Sequence, residues 1–185
     1  MTKVNEAIIF ATKAHAGQKR KGKDTPYITH PLSALVVASS ITSDEDVLCA
    51  SVLHDVVEDT PITIEEIERA FGKRVAELVA SDSEDKMRHL SEEESWKTRK
   101  QATLDLLENA TRDEQIICIA DKLANIREMA QDYFLIGDKL WEKFNQKDKA
   151  MHGWYYLGIA ERLTALKDTY AYKEYEELCN KIFKD

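Results

Sequence analysis

The sequence predicts an all-α protein, and three observations carry that prediction. The chain has 185 residues but only 6 Gly and 3 Pro, so few breakers interrupt it. A Ser or Thr stands three residues before an acid at Ser43/Asp46, Thr63/Glu66, Ser91/Glu94 and Thr111/Glu114, the signature of a capped helix N-terminus. Apolar residues recur at helical spacing, and no convincing period-2 alternation marks a strand. Apolar residues make up 43% of the chain, enough for one real core, so a single domain over 1–185 is expected. No internal repeat is visible.

The elements follow in order. Val4 to Ala14 reads as an amphipathic helix with Val4, Ile8 and Ala11 on one stripe. Gly17, Gly22 and Pro26 make 15–30 a loop. Pro31 to Ser40 is a short apolar helix, and Pro31 biases His30 toward extended backbone just before it. Ser43 and Asp46 open a helix that carries His54. Thr63 and Glu66 open the next, closed by Phe71-Gly72, and Lys73 to Ala80 is another. Ser81 to Leu90, with Asp82, Glu84, Asp85 and Lys86, reads as an acidic loop beside the site or on the surface. Ser91 starts a helix through Leu107, and Thr111 caps one running from Gln115 to Ala130. Gly137 breaks the pattern, and two or three helices follow. Their aromatic residues, among them Trp141, Phe144, Trp154, Tyr155 and Tyr156, read as core rather than as a stacking platform.

Composition narrows the partners. A net charge of -8 lacks the basic footprint that a long nucleic acid requires. A small anionic substrate remains compatible, because a local basic cluster or a metal suffices to bind it. The three cysteines, Cys49, Cys118 and Cys179, are dispersed and odd in number, so neither a disulfide framework nor a zinc knuckle is expected. The N-terminus has no signal-type apolar region, and no apolar run approaches the ~18 residues of a membrane span. A soluble, cytoplasmic protein is expected, with no membrane partner. The oligomeric state stays open.

The chemistry concentrates in His54-Asp55-Val56-Val57-Glu58-Asp59. Residues four apart share a helix face, so Glu58 lies one turn beyond His54 and Asp59 one turn beyond Asp55. His54 and Asp55 diverge by roughly 100° about the axis, yet both reach one point in a cleft that straddles the two directions. Imidazole plus carboxylate suits a borderline or hard divalent metal. A lone His-Asp pair says little, because a polar helix end capped by acids gives the same letters. Here the pair follows the largely apolar run Val47–Leu53 and precedes Val56-Val57, where charged groups are normally paired or metal-bound.

Asp121 repeats the situation. It follows five apolar residues, and Asn125 sits one turn later on the same face. It is either a metal ligand or a buried acid bridging a neighbouring helix. Lys19, Arg20, Lys21 and Lys23 crowd a loop that leads into His30, either as a solvated charge run or as a phosphate-facing one. His15, His89 and His152 lack partner spacing and read as structural or surface residues.

The order His30, His54-Asp55, Asp121 resembles the HD superfamily of metal-dependent phosphohydrolases. The segments 15–32, 53–60, 71–79 and 119–127, in this order, resemble RelA/SpoT-type alarmone hydrolase domains over about residues 4–130. With no synthetase or regulatory domain following, the expectation is a small stand-alone alarmone hydrolase, similar to the animal Mesh enzymes. The resemblance implies an HD-type helical bundle and loss of the 3′-pyrophosphate from guanosine tetra- or pentaphosphate. It makes His30, His54, Asp55 and Asp121 the metal ligands, with Mn2+ the usual ion. It makes Glu58 and Asp59 the pair that handles the attacking water. Arg20 corresponds to a cation on the guanine base, Asn125 to a residue lining the nucleotide site, and Tyr27 to a support. Lys122 stands where Arg is common, Ala124 where His or Tyr is usual, and 80–86 departs from the long enzymes. All three border the nucleotide site.

The residues suit this chemistry on their own terms. A divalent ion on two His and two Asp activates water and polarises a phosphoryl oxygen. Glu58 or Asp59 can take a proton, and Arg20, Lys21 and Lys23 can offset phosphate charge. The alternatives are an HD phosphohydrolase acting on another nucleotide phosphate, and a non-catalytic nucleotide-binding module. The retained Glu58 and Asp59 argue against the last.

Overall fold

The computed structural model describes residues 1–83 and 91–184, with only the backbone at 92 and 93. Among these residues every regular element is a helix, and the one β-bridge pairs Lys19 with Pro26. The helices are α1 (Lys3–Ala14), α2 (Thr29–Ser39), α3 (Glu45–Leu53), α4 (Val56–Asp59), α5 (Ile64–Phe71), α6 (Lys73–Asp82), α7 (Glu92–Leu107), α8 (Arg112–Ile136), α9 (Lys149–Arg162) and α10 (Tyr170–Phe183). Short 3-10 turns occupy Gly137–Lys143 and Thr164–Leu166.

The capping signatures at Thr63, Ser91 and Thr111 all form reciprocal boxes with Glu66, Glu94 and Glu114. The expected box at Ser43 does not form. Asp44 is the N-cap, and its carboxylate accepts from the backbone N–H groups of Asp46 and Val47. A carboxylate at this position also meets the positive end of the helix dipole. Helix α5 buries Ile67 and Phe71 and turns its acids outward; Phe71 packs edge-on against Phe10 at 5.3 Å. Gly72 then takes φ +88°, which lets α6 start immediately in a new direction.

Three boundaries differ from the sequence reading. His30 is not extended, because α2 begins at Thr29 and Pro31 falls in its first turn, where a missing N–H leaves no bond unmade. Helix α6 runs on through Asp82, so Ser81 and Asp82 are helical, while the expected loop positions 84–90, with Glu84, Asp85, Lys86 and His89, lie outside the described residues. Helix α8 continues to Ile136, well past Ala130, and ends where Gly137 adopts φ +58°.

Helix α8 is the axis of the fold. It packs against α2, α3, α6 and α10, while α1 and α2 flank α3 and α9 lies on α7 and α10. Its run Ile116-Ile117-Cys118-Ile119-Ala120 is buried throughout. Each such Ile contributes roughly 1.5–3 kcal/mol by leaving water, and Ile119→Ala would cost roughly 2–5 kcal/mol. Two tyrosines of the last helix are core residues with satisfied hydroxyls: Tyr175 donates to the Tyr156 carbonyl at 3.0 Å and Tyr172 to that of Ala160 at 3.1 Å. All three cysteines are free and buried. No helix among the described residues is long and apolar enough to cross a membrane.

Candidate active site

The site forms where α2, the α3–α4 junction and α8 meet. Backbone in the α region continues through the junction: His54 caps the end of α3 and Asp55 the start of α4, with the Asp59 N–H bonded to the Asp55 carbonyl at 2.9 Å. The helix is therefore interrupted at His54-Asp55 rather than continuous, and the break aims both side chains at α2 and α8.

Four side chains converge there. His30 Nε2 lies 3.2 Å from His54 Nε2, 3.0 Å from Asp121 Oδ1 and 3.4 Å from Asp55 Oδ2. His54 Nε2 lies 3.0 Å from Asp55 Oδ2 and 3.7 Å from Asp121 Oδ1. His30, His54 and Asp121 are buried and offer ligand atoms all within 4.8 Å of one another. Asp55 joins through its contacts to both imidazoles. Donors about 2.0–2.2 Å from one ion stand about 3–3.5 Å apart at right-angle to tetrahedral geometry, so the donor set fits a divalent cation. His54 Nδ1 donates to the Ser51 carbonyl at 2.8 Å, which points the Nε2 side into the cluster.

The electrostatics agree. Burial alone would lower the His54 pKa, but the Asp55 and Asp121 carboxylates outweigh it and raise the imidazole to about 10. Against the opposing effect of burial, His54 and His30 pull Asp55 below the usual carboxylate range, and Lys122 with the two imidazoles does the same for Asp121. Lys122 Nζ contacts Asp121 Oδ2 directly, and Asn125 Nδ2 donates to Asp121 Oδ1 at 2.5 Å. Such a density of opposed charge in a buried place is a site built to hold charge.

A polar cavity of about 210 Å³ opens over the cluster. Glu58 and Asp59 both line it. So do Asp82, which the sequence placed only in a loop bordering the site, and Lys100, Thr103 and Tyr155, which it did not assign there. Burial raises the Asp82 carboxyl to about 7, with the Asp121 and Asp55 charges adding to the rise against Lys122 and His54. The Val75–Val79 stripe of α6, extended by three residues, would have pointed to Asp82. For Lys100 and Tyr155 no local signal exists; Lys100 Nζ sits 5.0 Å from the Tyr155 ring centre only because α7 packs on α9.

A second cavity of about 240 Å³ adjoins the first, and both are lined by Arg20 and Asn125. Arg20 donates to Asn125 Oδ1 at 3.0 Å and to Glu128 Oε2 at 2.6 Å, with its guanidinium 5.5 Å from the Tyr27 ring centre. Lys21 reaches this second cavity, where Nζ lies 3.3 Å from Asn145 Oδ1. The basic loop as a whole does not face the His/Asp cluster. Lys23 pairs with Glu128 at 2.7 Å and Asp132 at 3.0 Å, and Lys19 with Asp24 at the surface. Phe144 and Tyr156, read from the sequence as core, also wall the second cavity. His152 is a structural residue as expected: it is buried against Trp96, Trp141 and Phe144, with Nε2 2.8 Å from the Gln146 carbonyl.

An all-helical fold with paired His and Asp donors at a helix junction defines the class, and the HD domain model matches residues 7–136, so the chain belongs to the HD domain family. Within it, the chain is 38% identical over 128 residues to guanosine-3′,5′-bis(diphosphate) 3′-pyrophosphohydrolase MESH1 of Xenopus tropicalis, covering 67% of this chain and 68% of that one. It is 40% identical over 94 residues to the bifunctional (p)ppGpp synthase/hydrolase SpoT of Escherichia coli K12, covering 50% of this chain but only 13% of SpoT. The chain thus matches a small part of that longer relative. A solved structure of a metazoan ortholog of SpoT, described as hydrolysing ppGpp and acting in starvation responses, superposes with a TM-score of 0.79 at 25% identity, over 98% of this chain and 96% of that one.

Proposed function

We propose that the chain is a metal-dependent 3′-pyrophosphohydrolase of guanosine tetra- and pentaphosphate, cleaving them with water to GDP or GTP and pyrophosphate. The observation that carries this reading is the pair of adjoining cavities. One holds a metal-type donor set with two acids at its rim, the other combines apolar and aromatic walls from Met129, Leu140, Phe144 and Tyr156 with charged ones from Lys21, Glu128, Asp132 and Lys143, and Arg20 and Asn125 line both. That shape suits a nucleotide whose diphosphate lies over the cluster and whose base lies in the second cavity. The similarity to MESH1 and SpoT supports the same substrate.

In this reading His30, His54, Asp55 and Asp121 hold the ion, Mn2+ by family resemblance. Bound there, the ion lowers the pKa of water and polarises a phosphoryl oxygen. Glu58 and Asp59 orient the attacking water and accept its proton. Lys100 and Lys122 offset phosphate charge, and Arg20 stacks on the base while Lys21 and Asn125 line its cavity. Tyr155 of α9 lines the cluster cavity, so we read 1–185 as one functional unit. With a net charge of -8, the partner is a small nucleotide rather than a long nucleic acid. Free buried cysteines suit the reducing cytoplasm.

The test is mass spectrometry of products after incubation of guanosine tetraphosphate with protein and Mn2+. GDP and pyrophosphate are expected in equal amounts. Orthophosphate alone, or cleavage of other nucleotides only, would move the chain to a different phosphohydrolase activity; no turnover with tight nucleotide binding would make it a binding module.

A further inference from the structure

The loop between α1 and α2 and the end of α1 contribute three linked side chains that converge on Asp59: Tyr27 at the edge of the cluster cavity, Gln18 behind it, and His15 behind Gln18. His15 is buried at the end of α1, and its Nδ1 lies 2.8 Å from Gln18 Oε1. Gln18 Nε2 donates to the Asp59 backbone carbonyl at 2.9 Å. Tyr27 Oη lies 2.7 Å from Asp55 Oδ2 and 3.0 Å from Asp59 Oδ2. The His15 ring packs on the Tyr27 ring with centres 4.8 Å apart.

The donor and acceptor roles in this chain are forced. The Asp59 carbonyl can only accept, so the Gln18 amide must present its NH₂ to it. Gln18 Oε1 then faces His15, so His15 must carry its proton on Nδ1. His15 Nε2 is buried with no protein partner among the described residues, which suits an unprotonated nitrogen. The Asp59 carbonyl ends a helix of only four residues, where the last carbonyls have no helical partner. Gln18 supplies that partner from outside the helix. Tyr27 meanwhile has one proton for two carboxylates and bridges them.

We propose that His15, Gln18 and Tyr27 are a positioning network that clamps Asp59 at both its backbone and its carboxylate and ties it to Asp55, so that α4 cannot drift relative to the metal cluster. His15 holds the amide of Gln18 in the donating orientation and buttresses the face of Tyr27. The sequence neighbours that carry cations toward substrate, Arg20 and Lys21, therefore share a loop with residues whose task is geometric. The proposal rests on the functional reading above for what Asp59 does, but the network itself is a matter of protein structure.

The test uses Gln18→Met and Tyr27→Phe, each close in shape to the original and each lacking one donor. Both should retain metal and thermal stability, with KM nearly unchanged and kcat down roughly tenfold to hundredfold, the scale of a small misplacement. In an Asp59→Asn background, Gln18→Met should add little further loss, because it acts through Asp59. An unchanged kcat in both single variants overturns the proposal, as does a Gln18→Met loss of the same size with and without Asp59. An independent arm needs no turnover: imidazole 15N NMR of the metal-free protein should place the His15 proton on Nδ1, and Gln18→Met, which removes its acceptor, should shift the Nδ1 resonance. A wild-type proton on Nε2 overturns the network. Absence of pyrophosphate release by the wild type, with the expected NMR result, would instead fault the functional reading alone.

Discussion

The two adjoining cavities are built by different means. The cluster cavity takes its donor residues from helices α2 and α8 and the α3–α4 junction, and three of the four have a further partner: the Ser51 carbonyl behind His54, Tyr27 behind Asp55, and Asn125 with Lys122 behind Asp121. The second cavity is walled by the α1–α2 loop, the end of α8 and the turn after it, through residues such as Arg20, Met129, Leu140 and Phe144. Rigid elements place charge to within a fraction of an ångström, as metal and phosphoryl chemistry needs. Loop and turn residues tolerate replacement and set what else fits. On the proposed function, the difference assigns chemistry to the first cavity and substrate choice to the second.

The strongest test of that division is His54→Ala. Neighbouring carboxylates cannot supply the lost nitrogen, so bound metal and turnover should both fall to background. Elemental analysis that finds stoichiometric metal would remove His54 from the ligand set. His152→Ala, in an aromatic nest and outside the donor set, should lose no metal.

Next in size are Glu58→Gln and Asp59→Asn. These keep shape and remove a proton acceptor, so kcat should fall about 10²–10⁴-fold while metal content and nucleotide affinity survive. The double variant should be worse than either single, without simple additivity. A double variant that turns over at the wild-type rate would separate these acids from water activation; one that loses metal would make them ligands.

Arg20 lines both cavities, so its removal should act on binding more than on chemistry. Arg20→Ala should raise KM about tenfold, and Arg20→Lys should not restore it, because an ammonium has no plane to stack on a base. Steady-state kinetics identical to wild type would return the loop to a purely structural role. Phe144→Ala is a finer probe. It should raise KM severalfold for the nucleotide, since aromatic contacts are worth about 0.5–1.5 kcal/mol, and leave a 3′-diphosphate lacking the base unaffected. An equal effect on both substrates would break the division between the cavities.

The smallest effect is a matter of protons. In the metal-free protein the flanking carboxylates hold His54 protonated up to about pH 10. A cation that takes this nitrogen must displace that proton, so metal affinity should rise with pH through the neutral range. Calorimetry in buffers of different ionisation heat should register the released proton. Heats that do not depend on the buffer would mean the proton stays and His54 is not a ligand.

Much of this was legible in the residues themselves. The cap boxes at Thr63, Ser91 and Thr111 are local interactions spanning three residues, so reading them needs no tertiary knowledge. The same holds for charged groups set into the apolar runs around His54 and Asp121, because burying charge costs so much that it must serve a purpose. Local rules failed where two choices were close in energy. Asp44 displaced Ser43 as a cap because both suit the position and one carries charge. Asp82 entered the site because α6 ran two residues further than its polar sequence suggested. What only the tertiary structure decided is which distant side chains meet. The packing of α7 on α9 brings Lys100 and Tyr155 to the cluster cavity, Glu128 of α8 takes Arg20 and Lys23 out of solvent, and Gln18 finds the carbonyl of Asp59 forty-one positions away. Spacing along the chain encodes what one helix can present. It carries no distance between helices, and that distance is set by how the core packs.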